Sequence, residues 1–273
     1  MAARISLRAG DGAVLAGERW IGGEPVVVLL HAGVTDRRAW KAVATELDRQ
    51  GRDVIAYDRR GFGETRAQPD GSGLDDLRAV LTQAAEGPAW LVGNSQGGEL
   101  ALDMALAEPS LLAGLVLLAP AVSGAPEPED SDLDPATLEI GAAIEAAAAD
   151  GDLAAVNRLE VRLWLDGPAS PEGRVSGAAR DLALEMNAIA LTSHRDAEPR
   201  SGLGAWDRLA EVTVPTTLVC GELDIPLMLE RCRLVAGRLP NARPPVELPG
   251  VAHLPGLEDP GAVARMIDEA IEA

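Results

Sequence analysis

Glycines enclose a serine at Gly93-Asn94-Ser95-Gln96-Gly97, with a further glycine at Gly98. The enclosure falls where the apolar run Ala89–Val92 gives way to the helix-like run Glu99–Ala107. A serine at such a junction requires a sharp, strained turn between a strand and a helix. Side chains two positions to either side would collide with the neighbouring strand and helix, which accounts for the glycines. The serine then projects from the carboxyl end of the sheet. The helix behind it aims its N-terminal amides, starting with that of Gln96, at the same place, where they favour negative charge. A simple N-capping serine would need none of these glycines.

Around this turn, continuous apolar runs alternate with segments of helical spacing. Val26–Leu30, Asp53–Tyr57, Ala89–Val92 and Ala113–Leu118 read as strands buried on both faces. Asp36–Arg49, Leu74–Ala85 and Ser95–Ala107 read as helices between them. Ala13–Trp20 reads as an edge strand. This order predicts an α/β fold, a mostly parallel twisted sheet with helices on both faces. Beyond Pro120 the alternation stops. Ala136–Ala149, Leu153–Leu165 and Ala178–Ser193 read as three successive helices. Strands resume at Thr213–Cys220 and Pro245–Leu248, with helices at Leu227–Arg238 and Ala262–Glu272. The expected organisation is therefore a core formed by residues 1–121 and 206–273, interrupted by a helical insertion at 122–205.

The formal net charge of −19 repels phosphate backbones and anionic lipid surfaces, so neither nucleic acid nor a membrane is the expected partner. The longest apolar stretch, Leu115–Val122, is far too short to span a bilayer. The N-terminal residues carry no apolar signal segment, and the two cysteines, Cys220 and Cys232, form no disulfide framework. These features predict a cytoplasmic protein. The sequence has no G-x-x-x-x-G-K-[ST], no H-E-x-x-H and no Cys/His cluster, so no metal and no organic cofactor is expected.

A nucleophilic serine needs a base and a group that orients the base. The chain has only three histidines, His31, His194 and His253. His253 lies in a loop after the last strand-like run, His194 in the helical insertion, and His31 at the end of Val26–Leu30. After the run ending at Cys220, Gly221-Glu222-Leu223-Asp224 offers two acids. Asp224 is the preferred candidate and Glu222 its competitor. Ser95, Asp224 and His253 fall in the chain order known for a triad on an open α/β sheet.

With these residues in place, the chain resembles the α/β-hydrolase superfamily, in its serine-nucleophile branch with a helical cap. The resemblance rests on Leu29-Leu-His-Ala-Gly33, Tyr57-Asp-Arg-Arg-Gly-Phe-Gly63, the serine turn, Gly221-Glu-Leu-Asp224, and Ala252-His253 followed by Glu258-Asp-Pro260. Ala32 departs from the glycine usual at its place. The resemblance implies an oxyanion hole made by the amides of Gln96 and Gly33, with Val34 in reserve, and a structural role for His31. It also makes Asp58 and Arg60 turn-stabilising residues, expected as a buried ion pair. A cap at 122–205 would bring insertion residues against a small-molecule substrate. Trp164 and Val34 are the candidate contacts, while Met186 and Leu191 fit an apolar interior by spacing.

The activity this implies is hydrolysis of a small carboxylic ester or lactone through an acyl-enzyme. Relatives that cleave carbon–carbon bonds of ring-cleavage products resemble the Gly-Asn-Ser-x-Gly-Gly turn as well, and cofactor-free perhydrolases are a third reading. Small-ligand receptors on the same fold are the reading outside enzymes. Haloalkane dehalogenases and epoxide hydrolases of the superfamily use Asp where this chain has Ser95.

Overall fold

The computed structural model describes residues 2–68, 71–193 and 202–273. Its sheet has eight strands: β1 (Ala3–Arg8), β2 (Val14–Trp20), β3 (Gly23–Leu30), β4 (Arg52–Tyr57), β5 (Ala89–Asn94), β6 (Leu112–Leu118), β7 (Thr216–Gly221) and β8 (Val246–Leu248). The spatial order is β1-β2-β4-β3-β5-β6-β7-β8, with β1–β2 and β2–β4 antiparallel and every other pair parallel. The parallel, doubly covered sheet is the one expected from the alternation. The expected edge strand is not at the edge: β1 pairs along β2 from Ala3–Arg19 to Arg8–Val14. Its period-two pattern, with Ile5 and Leu7 between Arg4, Ser6 and Arg8, is short and half polar, which hides it beside the apolar central runs.

Each central strand is apolar throughout because alternate residues serve opposite faces. Val26, Val28 and Leu30 pack with Leu77 and Leu81 of α2 (Gly73–Ala84), Leu102 of α3 (Gln96–Ala107) and Val235 of a later helix. Val27 and Leu29 pack instead with Val43 and Leu47 of α1 (Lys41–Arg49), and with Val263 and Ile267 near the C-terminus. The predicted helix Asp36–Arg49 opens as a tighter turn, Arg37–Trp40, before α1, with the Asp36 carboxylate capping it at the Arg38 amide.

Between β6 and β7 lie α4 (Pro135–Ala149), α5 (Leu153–Val161) and α6 (Ala178–Thr192). Asp134 and Asp152 cap the first two by accepting backbone amides. The predicted helix Leu153–Leu165 widens after Val161 into a π-helical turn, Arg162–Asp166, and stops at Gly167 with φ +86°. After α7 (Ala205–Arg208) and β7 come α8 (Pro226–Arg238), the short α9 (Pro255–Glu258) and α10 (Pro260–Ile271). Among the described residues no helix is long and apolar enough to cross a membrane. Cys220 and Cys232 are free thiols, both buried.

Candidate active site at the carboxyl ends of the strands

Ser95 sits between β5 and α3 with φ +53° and ψ −117°, a conformation costly for a residue with a side chain. Backbone bonds hold it there. Its amide donates to Leu118 O at 3.0 Å, and its carbonyl accepts the amides of Gly98, Glu99 and Ala121. A Cβ at Gly93 would lie 2.4 Å from Gly97 O, and one at Gly97 would lie 2.2 Å from Leu30 O. The glycines are therefore demanded by close backbone approach, as the sequence implied.

Parallel pairing puts the ends of β5, β6, β7 and β8 on one side of the sheet, so the loops after them converge. Asp224 follows β7 and His253 follows β8. His253 Nδ1 lies 2.7 Å from Asp224 Oδ2, and both residues are buried. The second oxygen, Oδ1, accepts the Ile225 amide at 2.7 Å, which fixes the carboxylate's rotation. A proton on Nδ1 shared with a carboxylate leaves Nε2 as the lone-pair nitrogen of the neutral ring. The competitor Glu222 is engaged elsewhere, since its Oε2 accepts the Gly250 amide at 2.9 Å.

Asn94, to which the sequence assigns no structural role, links the serine turn to the histidine loop. Its Nδ2 donates both to Leu118 O at 3.0 Å and to His253 O at 3.1 Å. It occupies a variable position of the G-x-S-x-G pattern, so the pattern alone could not single it out.

The loop after β3 comes against the start of α3. A Cβ on Gly33 would lie 2.6 Å from the Gln96 side chain, whose Oε1 accepts Arg59 Nη2 at 3.1 Å. Gln96 is the first residue of α3, where amides have no acceptor within the helix. Val34 is buried with Val161 and Leu165 of the insertion and with Leu254 of the histidine loop. Trp164 stacks at 42° with its centroid 4.6 Å from that of His253, and its carbonyl accepts the His253 amide at 3.1 Å. Met186 is buried, with Sδ accepting the Asp36 amide at 3.4 Å, and Leu191 is half-buried. His194 lies outside the described residues.

His31 is fully buried and both of its ring nitrogens are engaged. Nδ1 donates to Ala32 O at 2.8 Å, and Nε2 accepts the Arg59 amide at 3.1 Å. Burial, reinforced by the Arg59 guanidinium, holds its pKa well below the usual imidazole range. The ring is a neutral strut under the loop, with no nitrogen left for chemistry.

Asp58 and Arg60 do not form the expected ion pair, because the chain turns between them and each meets a different segment. Asp58 pairs with Arg37 and accepts the Arg37 and Glu64 amides. Arg60 grips Asp76 at the start of α2 and also Asp11.

Comparison with known proteins agrees with this fold. Residues 27–266 match the alpha/beta hydrolase family. An esterase of Mycobacterium tuberculosis is 34% identical over 105 residues, which are 37% of this chain and 34% of that enzyme, so the match spans about a third of the relative's length. A Bacillus subtilis protein provisionally named 2-succinyl-6-hydroxy-2,4-cyclohexadiene-1-carboxylate synthase is 26% identical over 268 residues, 89% of each chain. The esterase from Exiguobacterium antarcticum has the same fold, with a TM-score of 0.78 at 19% identity over 99% of this chain and 100% of that one. With its eight-stranded sheet, its strained serine turn and the family match across most of its length, the chain belongs to the alpha/beta hydrolase family.

Proposed function

We propose that this protein is a serine hydrolase that cleaves a small carboxylic ester or lactone through an acyl-enzyme. The observation that carries the reading is the buried 2.7 Å contact between Asp224 and His253 Nδ1, in loops that converge with the strained Ser95 turn. Ser95 Oγ attacks the acyl carbon. His253 Nε2 takes the serine proton and returns it to the leaving alcohol, while Asp224 holds the tautomer and stabilises the imidazolium. The amides of Gln96 and Gly33 receive the charge on the carbonyl oxygen, each such donor being worth ~3–4 kcal/mol in the transition state. Water on the same base then releases the acid.

In this reading residues 122–205 are the cap. Trp164, stacked on the imidazole, and Val34, packed against the insertion, bound the acyl side of the pocket. The esterase from Mycobacterium tuberculosis among the relatives supports ester chemistry over other uses of the fold. A fluorophosphonate probe tests the nucleophile: it should label Ser95 alone, and labelling that persists in Ser95→Ala sinks the mechanism. In a parallel screen of p-nitrophenyl esters, lactones and vinylogous diketones, the first two should turn over. Turnover of the diketones alone would favour carbon–carbon cleavage instead.

A further inference from the structure

The loop carrying His253 hangs from acceptors that lie outside it. Three successive amides are involved. Ala252 N donates to Glu258 Oε2 at 2.9 Å, His253 N to Trp164 O at 3.1 Å, and Leu254 N to Glu258 Oε1 at 3.2 Å. One carboxylate thus straddles the histidine, and the insertion supplies the acceptor between its two bonds. The Glu258 side chain is buried at 3% exposure, where an unpaired carboxylate is costly. Its counter-charge comes from the insertion: Arg174 Nη2 pairs with Glu258 Oε2.

Arg174 does more than neutralise. Its Nε donates to Asp166 O at 2.7 Å, Nη2 to Leu165 O at 2.6 Å, and Nη1 to Gly250 O at 2.8 Å. The last carbonyls of a helix have no partner within it. At the end of the α5 π-turn, those of Leu165 and Asp166 go to Arg174, and that of Trp164 goes to the His253 amide. A single guanidinium therefore joins the insertion's helix end, the start of the histidine loop at Gly250, and the carboxylate that grips the loop's middle.

We infer that Glu258 and Arg174 are positioning residues for His253, with Arg174 making the imidazole's placement depend on the docked insertion. The catalytic consequence rests on the serine-hydrolase reading, whereas the placement itself rests on the hydrogen bonds above. Neither residue touches a reacting atom. Their effect is on how often the imidazole stands ready to take the serine proton, and so on kcat more than on KM.

The arrangement also has a pH signature. Burial raises the Glu258 pKa, and the hydrogen bond from Arg174 opposes that rise. Among the other charges on the packed elements, Asp166 pairs with Arg180 and accepts the Gly173 and Val175 amides. Asp224 holds His253, Glu222 holds the Gly250 amide, and Asp259 caps α10. Arg37 pairs with Asp58, Arg38 pairs with Asp36 and Glu185, and Lys41 is exposed. Without Arg174, Glu258 takes up a proton at a higher pH. A protonated carboxyl presents an O–H to one of two amides that need acceptors, and the loop is released.

Two variants test this, Glu258→Gln and Arg174→Met, with Arg174→Lys as the conservative control and circular dichroism to confirm folding. Glu258→Gln should lower kcat by about tenfold to a hundredfold with KM little changed. Arg174→Met should move the acidic limb of kcat/KM to higher pH, and Arg174→Lys should recover part of that shift. Proton NMR of the substrate-free protein reads the His253 Nδ1 proton directly, and its downfield resonance should shift or broaden in Glu258→Gln and Arg174→Met. If Glu258→Gln does not fold, Arg174→Met decides alone. An unchanged resonance, or a pH-independent loss in Arg174→Met, overturns the inference. A resonance that moves in the variants of a protein inactive on every ester leaves the positioning standing and removes the hydrolase reading.

Discussion

The sheet and the insertion are held together by different physics. Along β3, Val26 to Leu30 are all at 0% exposure, and α3 buries Leu100, Ala101, Leu102 and Met104 against the sheet. In α4, by contrast, Thr137 and Ile140 are the buried residues. The apolar clusters that include the insertion borrow from core loops: Val161, Leu165 and Ala183 pack with Ala32, Val34 and Leu254, and Ile140 and Leu163 pack with Ile225. Polar ties complete the docking, from Arg38 to Glu185, Asp36 N to Met186 Sδ, and Arg174 to Glu258. The sheet thus supplies the strand ends whose loops carry Ser95, Asp224 and His253. The insertion adds no strand to the sheet and meets the core through loop residues.

The largest effect should therefore come from a sheet-end group. Asp224→Asn leaves a hydrogen-bonding side chain of the same shape but favours the wrong imidazole tautomer, and should lower kcat by roughly 10⁴-fold. Glu222→Gln, in the same loop, keeps an acceptor for the Gly250 amide and should change kcat little. Steady-state kinetics on the two folded variants decides. A crippled Glu222→Gln beside an active Asp224→Asn would reverse the assignment of the acid.

The next effect tests the difference in packing. Leu102 is fully enclosed between α3 and the sheet, whereas Leu163 lies in a small cluster between the insertion and Ile225. Leu102→Ala should cost about 3–5 kcal/mol, as in well-packed cores that cannot collapse around the cavity. Leu163→Ala should cost about 2 kcal/mol, the low end for a buried leucine, because a thin cluster near the surface relaxes more easily. Urea denaturation monitored by tryptophan fluorescence measures both. Equal losses would mean that the insertion is as integral to the core as α3.

The same contrast explains what could be read from the sequence. Strands buried on both faces leave unbroken apolar runs, and the serine turn leaves glycines, so the sheet and the turn were legible, while the acid facing His253 was legible only as a choice between Asp224 and Glu222. The edge strand β1 was not, since Ile5 and Leu7 are too few to stand out against Arg4, Ser6 and Arg8. Nor were the separate partners of Asp58 and Arg60, since a turn between neighbours in sequence sends them to different segments. The roles of Asn94, Arg174 and Glu258 lie in bonds to backbone carbonyls and amides, and such a partner leaves no mark on residue type.

The smallest effect probes whether the sheet-side loop after β3 satisfies its own polar groups without the insertion. His31 is enclosed by that loop, Phe62 and the Arg59 amide, with both nitrogens bonded. Its folded pKa is depressed by burial first and by Arg59 next. In the unfolded chain the ring titrates near 6.5, so below that pH the unfolded state binds a proton that the folded state refuses. The stability linked to His31 is therefore present above about pH 6.5 and is lost as pH falls, by at most about 1.4 kcal/mol per pH unit. His31→Gln removes this titration, whatever it costs in packing. Between about pH 7 and pH 5 the wild type should lose stability more steeply than the variant, and groups that titrate alike in both proteins cancel in the difference. Parallel slopes in urea unfolding would show that the folded protein accepts a charged His31, and that the loop after β3 draws on solvent or on the insertion for its partners.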